Sequence, residues 1–271
     1  MNEIEKFEDE VRRNIQGLLA DTDVQALSRI WMREITQHKY AYNFTWMGRP
    51  IIQFPQDMVA VQELIWQIKP DLVIETGIAH GGSLIMSASM LALLDYCEAV
   101  EARRTLDPRT TRRRVLGIDI DIRPHNRAAI EAHPMAHRID MIEGSSIAPE
   151  IVAQVHASCK GYERILVCLD SNHTHEHVLQ ELEAYAPLTS RGSYCVVFDT
   201  AVEDMPVNMF PDRPWDKGNN PKTALWEYLH RLQREGRKAA DGGPLRFEID
   251  KTIENKLLIT VAPDGYLKRV S

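Results

Sequence analysis

The chain has 271 residues, 44% of them hydrophobic and 26% charged, enough to bury a core without covalent staples. Its formal net charge of −7 argues against general attraction to nucleic-acid phosphates. No apolar stretch approaches the roughly 18 residues needed to cross a bilayer, so neither a nucleic acid nor a membrane is expected as a partner.

From Glu3 to Ala20, Ile4, Phe7, Val11, Ile15, Leu18 and Leu19 recur at helical spacing. Asp21 or Thr22 caps a second expected helix, running to about Gln37 and carrying Val24, Leu27, Ile30, Trp31 and Ile35. The apolar faces of these two helices lead us to expect a homo-oligomer. The stretch from His38 to Phe54 is aromatic and irregular, with Tyr40, Tyr42, Phe44 and Trp46. It reads equally as a cap over a pocket or as the packing of an N-terminal extension. We therefore divide the chain into an extension, residues 1–54, and a main domain, residues 55–271.

A third helix is expected near Asp57 to Ile68. Short apolar runs ending in acids then alternate with helical segments: Leu72–Ile74 before Glu75, Val115–Ile118 before Asp119, Ile165–Leu169 before Asp170, and Tyr194–Phe198 before Asp199. Ile139–Ile142, before Glu143, is weaker. Unbroken apolar runs suit strands buried on both faces, and their alternation with helices predicts a parallel α/β sheet. A Pro- and Asn-rich loop, Thr200 to Pro221, is followed by a helix to about Arg237. Strands near Phe247–Asp250 and Lys256–Val261 complete an expected seven-stranded, mostly parallel sheet. The arginine-rich segment Glu101–Arg114 is read as a solvated loop rather than an anion site. Cys97, Cys159, Cys168 and Cys195 form no C-x-x-C pair and are read as reduced thiols. With no secretory signal at Met1-Asn2-Glu3-Ile4-Glu5-Lys6, this gives a cytoplasmic setting.

In such a sheet, ligands sit beyond the carboxyl ends of the strands, where these acids would gather. The first strand runs into Glu75-Thr76-Gly77-Ile78-Ala79-His80-Gly81-Gly82-Ser83, which lets a ligand approach the backbone and lacks the G-x-G-x-x-G spacing of dinucleotide sites. Asp119 is placed for ribose hydroxyls. Asp170 and Asp199, on neighbouring strand ends, call for a cation between them or a shared proton, and hard oxygen ligands favour Mg²⁺. His173 is a candidate general base. A zinc site from His173, His175 and His177 is the weaker reading, and the last two are expected to be structural or solvent-facing.

The run from Glu75 to Ser83 resembles the cofactor loop of the cephalosporin hydroxylase and rhamnosyl O-methyltransferase family. So do Gly117-Ile118-Asp119-Ile120-Asp121-Ile122-Arg123-Pro124-His125-Asn126-Arg127, Glu143-Gly144-Ser145-Ser146, Leu169-Asp170-Ser171-Asn172-His173 and Tyr194–Thr200. The resemblance runs from about Trp46 to Leu267. It implies a Rossmann-like class I methyltransferase sheet using S-adenosylmethionine. By it, Glu75, Thr76, Gly77, His80, Gly81, Gly82 and Ser83 hold the methionine part of the cofactor, with Asp170 also in contact. Asp119 binds the ribose, and Ser145 and Ser146 lie near the adenine. Asp170 and Asp199 ligate Mg²⁺, and His173 is the base. Phe198 stands where relatives can carry a second acid, which implies a metal shell completed by Asn172 or water. The implied acceptor is a hydroxylated small molecule, a sugar or glycosylated natural product such as an antibiotic. The alternative is a cofactor-binding accessory protein of a biosynthetic hydroxylase or methyltransferase system.

Overall fold

The computed structural model describes residues 2–271. Helix α1 (Glu3–Ala20) begins at an Asn2–Glu5 capping box, and Asp21 both ends it and caps α2 (Thr22–Gln37) by accepting the Asp23 and Val24 N–H groups. No described residue of α1 is buried, and Ile4 and Phe7 face outward. After α2 a short turn, Tyr40–Asn43, leads into an antiparallel hairpin of β1 (Phe44–Trp46) and β2 (Arg49–Ile51). Tyr40 joins the pieces, its ring 5.5 Å from Trp31, 5.1 Å from Phe44 and 5.4 Å from Phe54.

Helix α3 (Pro55–Ile68) starts on Pro55, whose missing N–H is no loss in a first turn. Alternating units follow: β3 (Leu72–Thr76), α4 (Gly82–Glu101), β4 (Arg114–Asp119), α5 (Pro124–Glu131), β5 (Ile139–Glu143), α6 (Pro149–Ser158), β6 (Ile165–Leu169), α7 (His175–Tyr185) and β7 (Tyr194–Val197). The chain continues through α8 (Pro221–Glu235), β8 (Phe247–Ile249), α9 (Lys251–Leu257), along which α1 packs, and β9 (Tyr266–Arg269). The large sheet has seven strands among the described residues, in the order β5-β4-β3-β6-β7-β9-β8. Its first five strands are parallel, β9 runs antiparallel to β7, and β8, antiparallel to β9, points the same way as the first five.

The apolar runs are unbroken because both faces are covered. Leu72, Ile74, Leu116 and Ile118 meet Val155, Leu182 and Tyr228 from α6, α7 and α8. Val73, Val115, Leu166 and Cys168 meet Val61, Leu84, Leu91 and Ile130 from α3, α4 and α5. By length and composition α4 is long and apolar enough to cross a membrane, which the apolar runs alone did not suggest. In the fold it is a core helix, with 56% of its apolar window buried.

Two expectations are corrected. Lys256–Val261 is not a strand: Asp250 accepts the Thr252 N–H to start α9, and Leu258, at φ 62°, ends it. The last strand is β9 instead. Nor is the arginine-rich segment simply solvated. Arg113 is buried and pairs with Asp95 and, at 2.6 Å, with Glu98. Arg138 donates to the other Asp95 oxygen at 2.6 Å, and Arg114 pairs with Asp140. Cys159, Cys168 and Cys195 are buried, and all four cysteines are free.

Candidate functional site

The carboxyl ends of β3, β4, β6 and β7 open into a cleft of about 970 Å³. On its sheet side the chain leaves β3 at Gly77, whose φ is 87°. A Cβ there would stand 2.0 Å from the Asp170 carbonyl oxygen, so only glycine lets the ends of β3 and β6 come this close. Asp119 holds the following loop: its Oδ2 accepts the Ile78 N–H at 2.8 Å and the Ala79 N–H at 3.2 Å. Its Oδ1 accepts the Asp121 N–H at 3.2 Å. Gly77, His80, Gly82, Ser83 and Asp119 all line the cleft.

Other loop residues lie elsewhere. Glu75 and Thr76 are buried within β3 rather than exposed at its rim. The Ser87 hydroxyl donates to Glu75, and burial raises the Glu75 carboxyl above its usual range against the pull of Ser87 and Ser83. Thr76 Oγ1 accepts the Asp170 N–H at 3.2 Å. Both residues border a small recess beside the cleft. Gly81, at φ 81°, packs against Ile130 and does not line the cleft.

Sequence reasoning missed the clamp behind this loop. Arg49, from the hairpin, donates to the His80 carbonyl from Nη2 at 2.6 Å and Nε at 3.1 Å, and to Asn126 Oδ1 at 3.2 Å. Asn126 in turn donates to the Ala79 carbonyl at 2.9 Å. Nothing in the spacing of Arg49 relative to the loop signals this contact.

Three side chains from two strand ends converge. Asp170 follows β6 directly, Asp199 stands two residues beyond β7 at φ 54°, and His173 lies in the loop after Asp170. His173 Nε2 is 3.1 Å from Asp199 Oδ2. One ligand atom from each of Asp170, His173 and Asp199 lies within 4.8 Å of the others. Burial, then the charges of Asp199 and Glu75, hold the Asp170 carboxyl well above the carboxylate range. The two carboxylates at this spacing fit a hard divalent cation, and the imidazole beside them is left to accept a proton. Asn172 Oδ1 accepts from the Thr174 N–H at 2.9 Å and hydroxyl at 2.8 Å. Water is thus the freer candidate to complete such a shell. The Phe198 ring is buried in the core next to the recess and does not line the cleft.

The three histidines do not converge. His175 ties α7 to α8 through Thr223 Oγ1 at 2.8 Å and Glu227 at 3.0 Å. His177 does reach the cleft wall, within 3.0 Å of the Ser146 hydroxyl. Ser145 and Ser146 line that end, and the hydroxyls of Ser146 and Ser171 both donate to fully buried Glu181 at 2.6 Å. Glu181 is a second residue that the sequence did not single out.

The aromatic segment does cap the cleft, through Tyr40 and Tyr42. The loop after β7 adds Met205, Met209, Phe210 and Trp215 to the lining, and the first three of these pack in one cluster with Tyr40. Trp215 stands edge-to-face to the His173 ring at 5.3 Å.

A family model described as Rhamnosyl O-methyltransferase/CmcI matches residues 38–270. A Rhamnosyl O-methyltransferase of Mycobacterium bovis (strain BCG / Pasteur 1173P2) is 30% identical over 243 residues, 86% of this chain and 83% of that protein. The Rhamnosyl O-methyltransferase of Mycobacterium leprae (strain TN) is 30% identical over 241 residues, 86% of this chain and 88% of that protein. A solved CmcI structure described as holding Mg and SAM matches with a TM-score of 0.50 at 16% identity. It covers 85% of this chain and 78% of its own, and bears on the fold alone.

Proposed function

The chain belongs to the rhamnosyl O-methyltransferase/CmcI family and is an S-adenosylmethionine-dependent O-methyltransferase. From that premise we propose that it methylates a sugar hydroxyl of a glycosylated small molecule with the help of a divalent cation. Its seven-stranded, mostly parallel sheet is of the class I methyltransferase kind. The sugar acceptor follows the names of the relatives. The observation that carries the metal reading is the Asp170–His173–Asp199 cluster, set at the rim of a cleft wide enough for two ligands.

When bound, the cofactor supplies an electrophilic methyl group, and a cation at Asp170 and Asp199 lowers the pKa of a neighbouring hydroxyl. His173 takes the hydroxyl proton, a step worth roughly 10²–10⁴-fold. Asp199, 3.1 Å from Nε2, orients the imidazole from one side and Trp215 bounds it from another. The Gly77–Ser83 loop and Asp119 hold the donor end, while Tyr40, Met205 and Phe210 wall the acceptor end against water. Alignment of donor and acceptor supplies the remainder of the rate.

Calorimetric titration with S-adenosylhomocysteine, with and without Mg²⁺, tests the cofactor. Turnover on a rhamnosylated acceptor then tests the chemistry. His173→Gln should lower turnover at least 10²-fold and leave S-adenosylhomocysteine affinity within about threefold. Absence of binding in both titrations defeats the whole reading, and undiminished turnover in His173→Gln defeats the base.

A further inference from the structure

We infer that Gln53, in the segment joining β2 to α3, binds the α-ammonium group at the methionine end of the cofactor, together with Glu75 and Asp170. The inference rests on the S-adenosylmethionine reading above. It assigns the N-terminal segment a direct part in cofactor recognition, where the motif residues alone place the task in the loop after β3.

Gln53 is a polar side chain where an apolar one would be expected. It is 5% exposed, between Ile51 at 1% and Phe54 at 3%. It lines the main cleft and also borders the recess of about 10 Å³ that it shares with Glu75, Ser83 and Asp170. Its amide faces Asp170. Its Oε1 is buried and has no hydrogen-bond partner among the described residues. A buried carbonyl without a donor is costly, so a site that keeps one calls for a donor from outside the chain.

The other polar groups around the recess point to the same missing partner. Glu75 has Ser87 and Ser83 as its side-chain partners, and no cationic side chain is among the groups acting on it. Asp170 accepts from the Gln53 amide and lies in the field of the Asp199, Glu75 and Glu181 carboxylates. A positive group placed among Gln53, Glu75 and Asp170 would draw both carboxyls into the ionised form, in which they and the amide carbonyl all accept. What would satisfy them is a small positive group with several N–H donors. The recess has room for about one water-sized group, and an alkylammonium head carries three N–H bonds in that space. Neither Asp199 nor His173 borders the recess, so this position is separate from the metal cluster and shares only Asp170 with it.

The backbone explains how Gln53 is held there. At Gly82, the first residue of α4, a Cβ would lie 2.2 Å from the Pro50 carbonyl oxygen and 2.7 Å from Ile51 Cα. The absence of a side chain at Gly82 thus lets Pro50 and Ile51, just before Gln53, rest directly on the start of α4. The buried Ile51 and Phe54 anchor the strap on either side.

The test is calorimetric and needs no acceptor. S-adenosylhomocysteine is compared with its deaminated analogue, which keeps the nucleoside, the sulfur and the carboxylate, on wild type and Gln53→Met. The expected result is an approximately tenfold loss of S-adenosylhomocysteine affinity in the variant, with the affinity for the analogue within about twofold of wild type. An equal loss for both ligands, or no loss for either, overturns the role of Gln53 and leaves the cofactor reading standing. A wild type that binds neither ligand defeats the cofactor reading and this inference with it. Should Gln53→Met fail to melt cooperatively, Gln53→Glu replaces it. A variant that keeps an acceptor should retain the wild-type preference for S-adenosylhomocysteine over the analogue, and loss of that preference overturns the inference.

Discussion

Gly77→Ala bears on the cofactor loop and the metal cluster together. The methyl group would stand 2.0 Å from the Asp170 carbonyl oxygen and 2.7 Å from its carbon, where ordinary contact begins near 3.4 Å. Both are backbone atoms, so the strain cannot be released by turning a side chain. The ends of β3 and β6 must part by roughly 1 Å, an overpacking cost of about 1–3 kcal/mol. A φ of 87° adds about 1–2 kcal/mol for any residue with a Cβ. A loss of about 3 kcal/mol should lower the melting temperature by about 6–12 °C in a chain of this size. Asp170 carries the displacement, and a misplacement on the order of 1 Å costs roughly 10²-fold in turnover. Scanning fluorimetry gives the first quantity and initial rates at saturating cofactor the second. A variant that melts within about 2 °C of wild type and turns over within about threefold would refute the reasoning.

Two further predictions concern the scaffold. Asp95→Ala removes the carboxylate between Arg113 and Arg138, whose side chains are 8% and 1% exposed. Leaving these cations poorly paired should cost about 3–5 kcal/mol in urea unfolding. A loss under about 1 kcal/mol would mean that the segment before β4 is not pinned by this pair. Asp57 is fully buried, accepts from Thr260, Tyr266 and the Val261 N–H, and has its carboxyl pushed up by burial to about 6 from 3.8. The folded chain therefore keeps a proton that the unfolded chain has released. The contribution of up to about 3 kcal/mol is present below about pH 4, is lost as pH rises to about 6, and is level beyond. The stability gap between wild type and Asp57→Asn should accordingly narrow between pH 4 and 7. A constant or widening gap contradicts the burial argument.

The parallel strands could be read from the chain because a strand covered on both faces must be apolar at every position, as at Leu72–Ile74 and Ile165–Leu169. The same rule misled at Leu257-Leu258-Ile259-Thr260-Val261, an apolar run that local spacing cannot assign to strand or helix. There the Asp250 cap and the left-handed Leu258 decide, and both act through geometry. Glu75 was read as a rim acid because it follows three apolar residues. One further ladder pair, Thr76 with Leu169, places it inside the sheet, turned towards Ser87. The Asp170, His173 and Asp199 set was visible because acids after strands fall on one rim whatever the loops do. Gln53, Arg49, Glu181 and Trp215 were not. Each acts through a partner distant in sequence, and neither periodicity nor motif spacing records such a meeting. Arg113 is the same case on the structural side: a run of arginines says nothing about which one finds Asp95.

The position of β9 bears on how the chain can be made and cut. It follows β8 in the chain yet lies one place inboard of it, against β7. A ribosome delivers every residue that lines the cleft before it delivers residues 266–269. Until then Tyr194, Cys195 and Val196, all buried in the finished sheet, offer a bare strand edge. Removing residues 266–271 would touch nothing in the cleft and would make that edge permanent. Such a fragment would keep its chemistry on paper while offering neighbouring copies an open template for aggregation.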